Sequence, residues 1–173
     1  MKPTTLALWS RASIALMWSL GLLQMAILWP HLPDRVATHF DLSGQVDGWS
    51  SAQSFMVFFV VLETFLAILF LVSVELTLRI SSQWFNLPHK DYWLAPERSA
   101  ETRANLARDL AFIGLSTQLL IFFAVHQCYV VSTGIEASAP AGWQALGLYL
   151  VVVLGWVAIL CWRYRRIPTV TGR

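Results

Sequence analysis

The chain has 173 residues, of which 57% are hydrophobic and only 13% are charged, and its mean hydropathy is +0.58. Soluble domains are about a quarter charged, so this composition excludes water as the main solvent of the folded chain. The formal net charge of +2 excludes a strongly basic surface, and nucleic acid is therefore not an expected partner.

Four apolar stretches are long enough to cross a bilayer as helices, which takes about 20 residues each. A helix satisfies its own backbone hydrogen bonds, and this makes it the structure such stretches adopt in lipid. The predicted helices cover residues 6–29, 55–78, 110–131 and 143–162. We therefore expect the lipid bilayer as a partner and one all-α domain over residues 1–173, an integral membrane four-helix bundle.

The first loop, residues 31–51, concentrates ionisable side chains. They are His31, Asp34, Arg35, His39, Asp41 and Asp47. Prolines and glycines punctuate this loop as turns rather than as a helix. Two interpretations stay open: these side chains cap turns of a glycine-rich loop, or His39, Asp41 and Asp47 face a ligand.

Lysine and arginine residues are distributed unevenly over the loops. Of the twelve, only Arg35 lies in the first loop; the others lie around the start of the first helix, in or beside loop 81–107, or after the fourth helix. Positive residues favour the cytoplasmic side of a membrane. This predicts that both termini and loop 81–107 are cytoplasmic and that the first loop is outside.

The cytoplasmic loop contains a segment that we expect to lie along the membrane surface. Its candidate functional residues are Asn86, Pro88, Tyr92, Trp93, Pro96 and Glu97. Proline followed by acidic residues is typical of the first turn of a helix. Residues 97–131 are therefore predicted to form one helix whose first turns project into the cytoplasm.

Glu63 is the main polar signal inside a predicted membrane helix. A carboxylate there costs a few kcal/mol unless it is neutral, hydrated or partnered. Counted from the outer ends of their helices, Gln24, Glu63 and His126 lie at similar depths, and we expect them to converge on one pocket beneath the first loop. A hydrogen-bonded structural role for His126 is the simpler alternative. Glu75 is expected to pair with Arg79 at i+4.

Histidine and carboxylate side chains together suit Zn²⁺ or a related divalent metal. The candidate ligands are His39, Asp47, Glu63 and His126. Their spacing is not that of a diagnostic metal motif. No cofactor is therefore predicted, and a divalent metal is kept as an alternative.

Two segments, residues 32–49 and 86–97, resemble a bacterial membrane family of unknown function. Its outer-loop domain also occurs in SdpI-type immunity and signal-transduction proteins. The matching residues of the first segment are Leu32, Pro33, His39, Phe40, Gly44 and Asp47. The resemblance implies a multi-pass protein of the bacterial cytoplasmic (inner) membrane. It also implies recognition of a peptide at the outer face, since SdpI-type proteins sense or sequester a toxic peptide.

No motif of a familiar enzyme class is present: the sequence has no Gly-x-Ser-x-Gly, Walker loop or His-Glu-x-x-His. We predict a non-enzymatic sensing, immunity-like or binding module. Its outer loop would take a peptide or small ligand, and residues 86–108 would contact a membrane-protein partner or a second copy. Two alternatives stay open: a small transporter or membrane metalloenzyme using the His/carboxylate cluster, and an accessory subunit of a membrane complex.

Overall fold

The computed structural model describes residues 2–136 and 140–167. Within these residues, four helices are long and apolar enough to cross a membrane, and each overlaps one predicted stretch. They are α1 (Pro3–Leu28), α2 (Ala52–Arg79), α4 (Pro96–Ser132) and α5 (Pro140–Tyr164), with a short helix α3 (Lys90–Trp93) before α4. The chain is a multi-pass membrane protein.

The first loop folds as a β-hairpin, with β1 (Arg35–Phe40) antiparallel to β2 (Val46–Ser51). The loop is not helical, as predicted, and the hairpin adds two short strands to an otherwise helical fold. The turn closes because the backbone nitrogen of Asp41 donates to the oxygen of Gln45 at 2.9 Å, and because Gly44 adopts a φ of 83°. The chain between α1 and α2 therefore forms two short strands that pair with each other.

The two ends of the molecule differ in what they carry. Helices α1 and α4 run toward the hairpin, whereas α2 and α5 run away from it. We call the end with β1 and β2 the hairpin end. The opposite end carries Lys2, α3 and residues 165–167, and we call it the terminal end.

The core lies between α1, α2 and α4. Toward the terminal end, Ile14, Ala67 and Ala111 pack together, and toward the hairpin end Met25 and Val125 do so with residues of α2 and β1. Small residues bring these helices close, as membrane helix pairs require. At Gly114, for example, an added Cβ would lie 2.6 Å from the ring of Phe70 on α2.

Helix α5 lies outside this core and packs mainly on α4. Contacts include the rings of Phe112 and Trp156, 4.4 Å apart, and a 2.9 Å hydrogen bond between the hydroxyls of Thr117 and Tyr149. No residue of the most apolar window of α5 is buried. The predicted four-helix bundle is thus corrected to a three-helix core with a fourth helix on one side. Hydropathy shows that a helix enters lipid, and it does not show which helices surround it.

Helix α4 is the long continuous helix that the sequence predicts. It has 37 residues and so extends over about 55 Å, well beyond the hydrocarbon core of about 30 Å. Arg103 fastens its projecting part by donating to the backbone oxygens of Thr77 (3.1 Å) and Ile80 (2.7 Å) at the end of α2. The helix therefore connects the hairpin end with the terminal end.

Candidate functional site

The hairpin presents a histidine and an aspartate on neighbouring strands. The Nδ1 atom of His39 contacts the carboxylate of Asp47, and both side chains are largely exposed. Opposite His39 stands Gly48, where an added Cβ would come within 2.7 Å of the Cβ of His39. Glycine at position 48 thus allows β2 to approach the histidine closely.

Asp41 organises the turn between the strands. Its carboxylate accepts hydrogen bonds from the hydroxyl of Ser43 (2.6 Å) and from the backbone nitrogens of Ser43 (2.8 Å) and Gln45 (2.9 Å). These donors, led by the Ser43 hydroxyl, lower the pKa of Asp41 below its ordinary value. The turn therefore carries a fixed negative charge at neutral pH.

A cleft of about 300 Å³ opens beneath the hairpin, between β1, α2, α4 and α5. Most of its lining is apolar, and its residues include His39, Phe40, Ala124, Gln127, Cys128 and Trp143. Gln127 is only 6% exposed, and its side-chain oxygen has no hydrogen-bond partner among the described residues. An unpaired buried polar atom is costly in a folded protein. The cleft thus has a mostly apolar wall, and one of its lining residues, Gln127, holds a buried acceptor without a partner among the described residues.

A larger groove of about 610 Å³ follows the outer face of α2, lined by residues such as Val57, Phe58, Val61 and Phe65. These side chains are exposed, and the groove is open along the surface that meets lipid. It has neither a buried polar group nor a wall from a second element. The cleft beneath the hairpin is therefore the better candidate for a specific site.

The two ends carry opposite charge. The described residues of the hairpin end include one arginine, Arg35, and four acidic residues: Asp34, Asp41, Asp47 and Glu136. At the terminal end the basic residues dominate, and some are paired: Arg11 contacts Glu75 at 2.5 Å. The cleft therefore opens into an acidic surface, which attracts cations.

Gln24, Glu63 and His126, which were predicted to converge, make separate contacts. Gln24 donates to the backbone oxygen of Phe122 on α4 at 3.0 Å, and Glu63 is 2% exposed in the three-helix core. His126 is exposed on α4 and bonds neither of them. The correction follows from helix rotation, since Val125 and Gln127 take the buried positions on either side of His126.

The hairpin does not close over Glu63 either. Glu63 lies eleven residues after the start of α2, which places it about 16 Å further along that helix. Across the described ranges, no group of three or more His, Cys, Asp and Glu side chains is arranged to hold a metal ion. Of the four candidate ligands, His39 and Asp47 therefore form a pair on the hairpin, whereas Glu63 lies in the core and His126 on the exposed side of α4.

The segment of residues 86–97 docks against the beginning of α4 and the end of α5. Trp93 donates through Nε1 to the backbone oxygen of Tyr164 at 3.1 Å, and the guanidinium of Arg98 lies over the ring of Tyr92. Pro96 and Glu97 form the first turn of α4 as predicted, while Asn86 and Pro88 are exposed. The segment thus links two membrane helices at the terminal end.

Residues 14–64 match the domain of unknown function DUF1648. This match covers most of α1, the whole hairpin and the first half of α2, so the cleft lies partly inside it and partly on α4 and α5. No curated protein and no solved structure matches the chain. The match supports the resemblance of the first segment, and the relation to SdpI-type proteins stays a prediction.

The sequence did not reveal several residues of this site. Gln127 and Cys128 indicated only packing, and Trp143 indicated a membrane-interface anchor, yet all three line the cleft. Asp109 also escaped notice: it is 1% exposed and contacts Arg108 at 2.7 Å and Arg163 of α5 at 3.1 Å. An acidic residue beside an arginine inside a helix was the available signal for Asp109.

Proposed function

We propose that this protein is a non-enzymatic binding and sensing module of the bacterial cytoplasmic membrane that takes an amphipathic cationic peptide at its hairpin end. The observation that carries the proposal is the apolar cleft with the unpaired oxygen of Gln127 beneath an acidic hairpin. The peptide class agrees with what the resemblance to SdpI-type proteins implies.

The orientation follows from the positive residues. Of the eleven lysines and arginines in the described residues, all but Arg35 belong to the terminal end, which makes this end cytoplasmic and turns the hairpin outward. An outward cleft is open to molecules that arrive from outside the cell. The acidic hairpin increases the local concentration of cationic ones.

The cleft and its rim have separate roles in binding. An apolar side chain of the peptide enters between Phe40, Ala124 and Trp143, and a rotation of the Gln127 side chain would bring its unpaired oxygen to a peptide donor. Basic side chains of the peptide lie against the carboxylates of Asp41 and Asp47, which remain at the solvent boundary. Burial of apolar surface supplies affinity, whereas the rim carboxylates supply the rate of association.

Output passes through α4 and α5. Both helices line the cleft at the hairpin end, and both contact Trp93 or its neighbours at the terminal end. A ligand that separates the two helices at one end changes their packing at the other. Residues 86–108 are the surface that a membrane-protein partner or a second copy would then contact.

Binding to a labelled probe tests this function. The probe is a fluorescent synthetic peptide with alternating lysine and leucine pairs, added to protein in nanodiscs of zwitterionic lipid, where fluorescence anisotropy reports binding. Ala124→Trp fills the cleft and is expected to weaken binding at least about tenfold, a loss of about 1.4 kcal/mol.

The matched control is Ala145→Trp, because Ala145 lines a neighbouring groove between α4 and α5 outside the cleft. It is expected to bind the probe like the wild type. Equal binding by all three proteins, or by empty nanodiscs, would contradict the proposal.

The small transporter, the metalloenzyme and the accessory subunit stay as alternatives. The first two depend on the cluster of His39, Asp47, Glu63 and His126, and among the described residues only His39 and Asp47 of this set are in contact. The accessory subunit has no specific observation in its favour. We therefore place the sensing module first.

A further inference from the structure

Glu63 is a carboxyl group inside the three-helix core. It is 2% exposed, lies on the membrane-crossing part of α2, and one of its oxygens, Oε2, has no hydrogen-bond partner among the described residues. The carboxyl lies flat against α1, because a Cβ added at Gly21 would be 3.3 Å from both Cδ and Oε1 of Glu63. Glycine at position 21 leaves the space that the carboxyl occupies.

A second polar side chain lies at nearly the same level. Gln118 on α4 is fully buried, and both its oxygen and its nitrogen lack hydrogen-bond partners in the part of the chain that the structure describes. The contact between Gly114 and Phe70 fixes the register of α4 and α2. Gln118 is one turn from Gly114 and Glu63 two turns from Phe70, both toward the hairpin, so their Cα levels differ by about 5 Å.

No positive side chain faces this place from any element packed around it. On α1, Arg11 contacts Glu75 near the terminal end, and on α4, Arg108 contacts Asp109 there. On α2, Arg79 also contacts Glu75, and on the hairpin His39 contacts Asp47. His126 is exposed on α4 away from the core. Within the described residues, Glu63 therefore has no ion-pair partner.

Three states of Glu63 can be compared. An ionised carboxylate would be a desolvated and unpaired charge within the membrane, which is the most costly arrangement. A bound Na⁺ or Ca²⁺ would need several more oxygen ligands, and the surrounding helices use their backbone oxygens internally. A neutral carboxylic acid needs only one acceptor, and the amide of Gln118 offers an acceptor together with a donor.

We propose that the core of α1, α2 and α4 is a proton-binding site, in which Glu63 holds the proton at neutral pH and donates it in a hydrogen bond to the amide oxygen of Gln118. The bond forms directly or through one interior water, which buried polar groups commonly hold. This site is distinct from the cleft, and the inference does not depend on peptide binding.

Infrared spectroscopy tests the proton directly. Protein labelled with ¹³C-glutamate is measured in lipid at pH of about 7, well above the pKa of about 4.3 of a free glutamic acid. The wild type is expected to show the carbonyl band of a protonated, ¹³C-shifted carboxylic acid. In Glu63→Gln this band is expected to disappear, because the side chain no longer has a carboxyl group. The amide keeps the shape of the neutral acid, so the fold is expected to be preserved.

Glu75→Gln is the matched control, because it removes a carboxylate from the same helix that is paired with Arg11 and Arg79. The band is expected to persist there. In Gln118→Leu the band is expected to shift to higher frequency, as the acid loses its acceptor. Circular dichroism and size-exclusion profiles establish that each variant is folded.

The wild-type spectrum alone shows whether a protonated carboxylic acid is present at neutral pH. This test therefore does not depend on whether a variant folds. A folded wild type with only carboxylate bands at neutral pH would overturn the proposal. Persistence of the protonated band in folded Glu63→Gln would overturn it as well. Neither result would bear on peptide binding, which the anisotropy measurement tests separately.

Discussion

The indole Nε1 of Trp143 donates a 2.7 Å hydrogen bond to the backbone oxygen of Asp41, and this joins the start of α5 to the turn of the hairpin. The two residues are 102 positions apart in the chain. Their contact holds the start of α5 beside the cleft. The hairpin therefore covers a cleft whose other walls are α2, α4 and α5.

Trp143→Phe is expected to loosen the hairpin turn without unfolding the protein. It keeps the ring and removes the hydrogen bond to Asp41, whose net contribution is about 1 kcal/mol. Amide hydrogen exchange of residues 41–45 should therefore become about fivefold faster. Trp84→Phe is the control, because Trp84 is exposed at the terminal end. Unchanged exchange in Trp143→Phe would show that the contact does not hold the turn.

Gly48→Ala is expected to destabilise the hairpin. The added Cβ would lie 2.7 Å from the Cβ of His39. Because a Cβ atom is fixed to the backbone, this clash is relieved only when the two strands move apart. A cost of about 1–3 kcal/mol is typical of such overpacking. Limited proteolysis between residues 35 and 51 should therefore become faster. Gly147→Ala on α5 meets no atom within 4 Å and is expected to be neutral or slightly stabilising.

Ser43→Ala is expected to raise the pKa of Asp41 toward its ordinary value of 3.8, because the Ser43 hydroxyl is the main cause of the lowered pKa. A carboxyl whose pKa is lowered by folding stabilises the fold above its unfolded pKa. This contribution is lost as the pH falls through the lowered pKa. Carboxyl ¹³C chemical shifts recorded against pH measure the change, and an identical titration in Ser43→Ala would contradict the hydrogen-bond explanation.

The orientation predicts which loops are reached from outside the cell. In a background with Cys128 and Cys161 replaced by serine, Ser43→Cys is expected to react with a membrane-impermeant thiol reagent on intact cells. Gln83→Cys, exposed at the terminal end, is expected to react only after the membrane is opened. The reverse pattern would place the hairpin inside and remove the basis for an external ligand.

Hydropathy was enough to predict the four membrane helices, because about 20 apolar residues in a row have no other common structure. The start of α4 at Pro96 was also predictable from proline and the acidic residue that follows it. Local chemistry of this kind depends only on neighbouring residues.

Rotation of the helices and pairing of the hairpin were not predictable in the same way. His126 was predicted to lie at the depth of Glu63 and to face it, yet it faces away from the core, and one residue further Gln127 faces inward. Moving one position along a helix changes the direction of a side chain by about 100°. The sequence therefore gives the approximate level of a side chain along its helix. The direction in which that side chain points depends on how α1, α2 and α4 pack together.

Photo-crosslinking tests the central claim most directly, since it locates the bound peptide on the wild-type protein. The lysine–leucine probe carries one photoreactive leucine, and mass spectrometry identifies the crosslinked residues. Crosslinks are expected at residues that line the cleft, such as Phe40, Ala124, Cys128, Trp143 and Leu146. Crosslinks confined to the outer face of α2, at Val57, Phe58 and Phe65, would contradict it and would show that the probe only follows the lipid-facing surface.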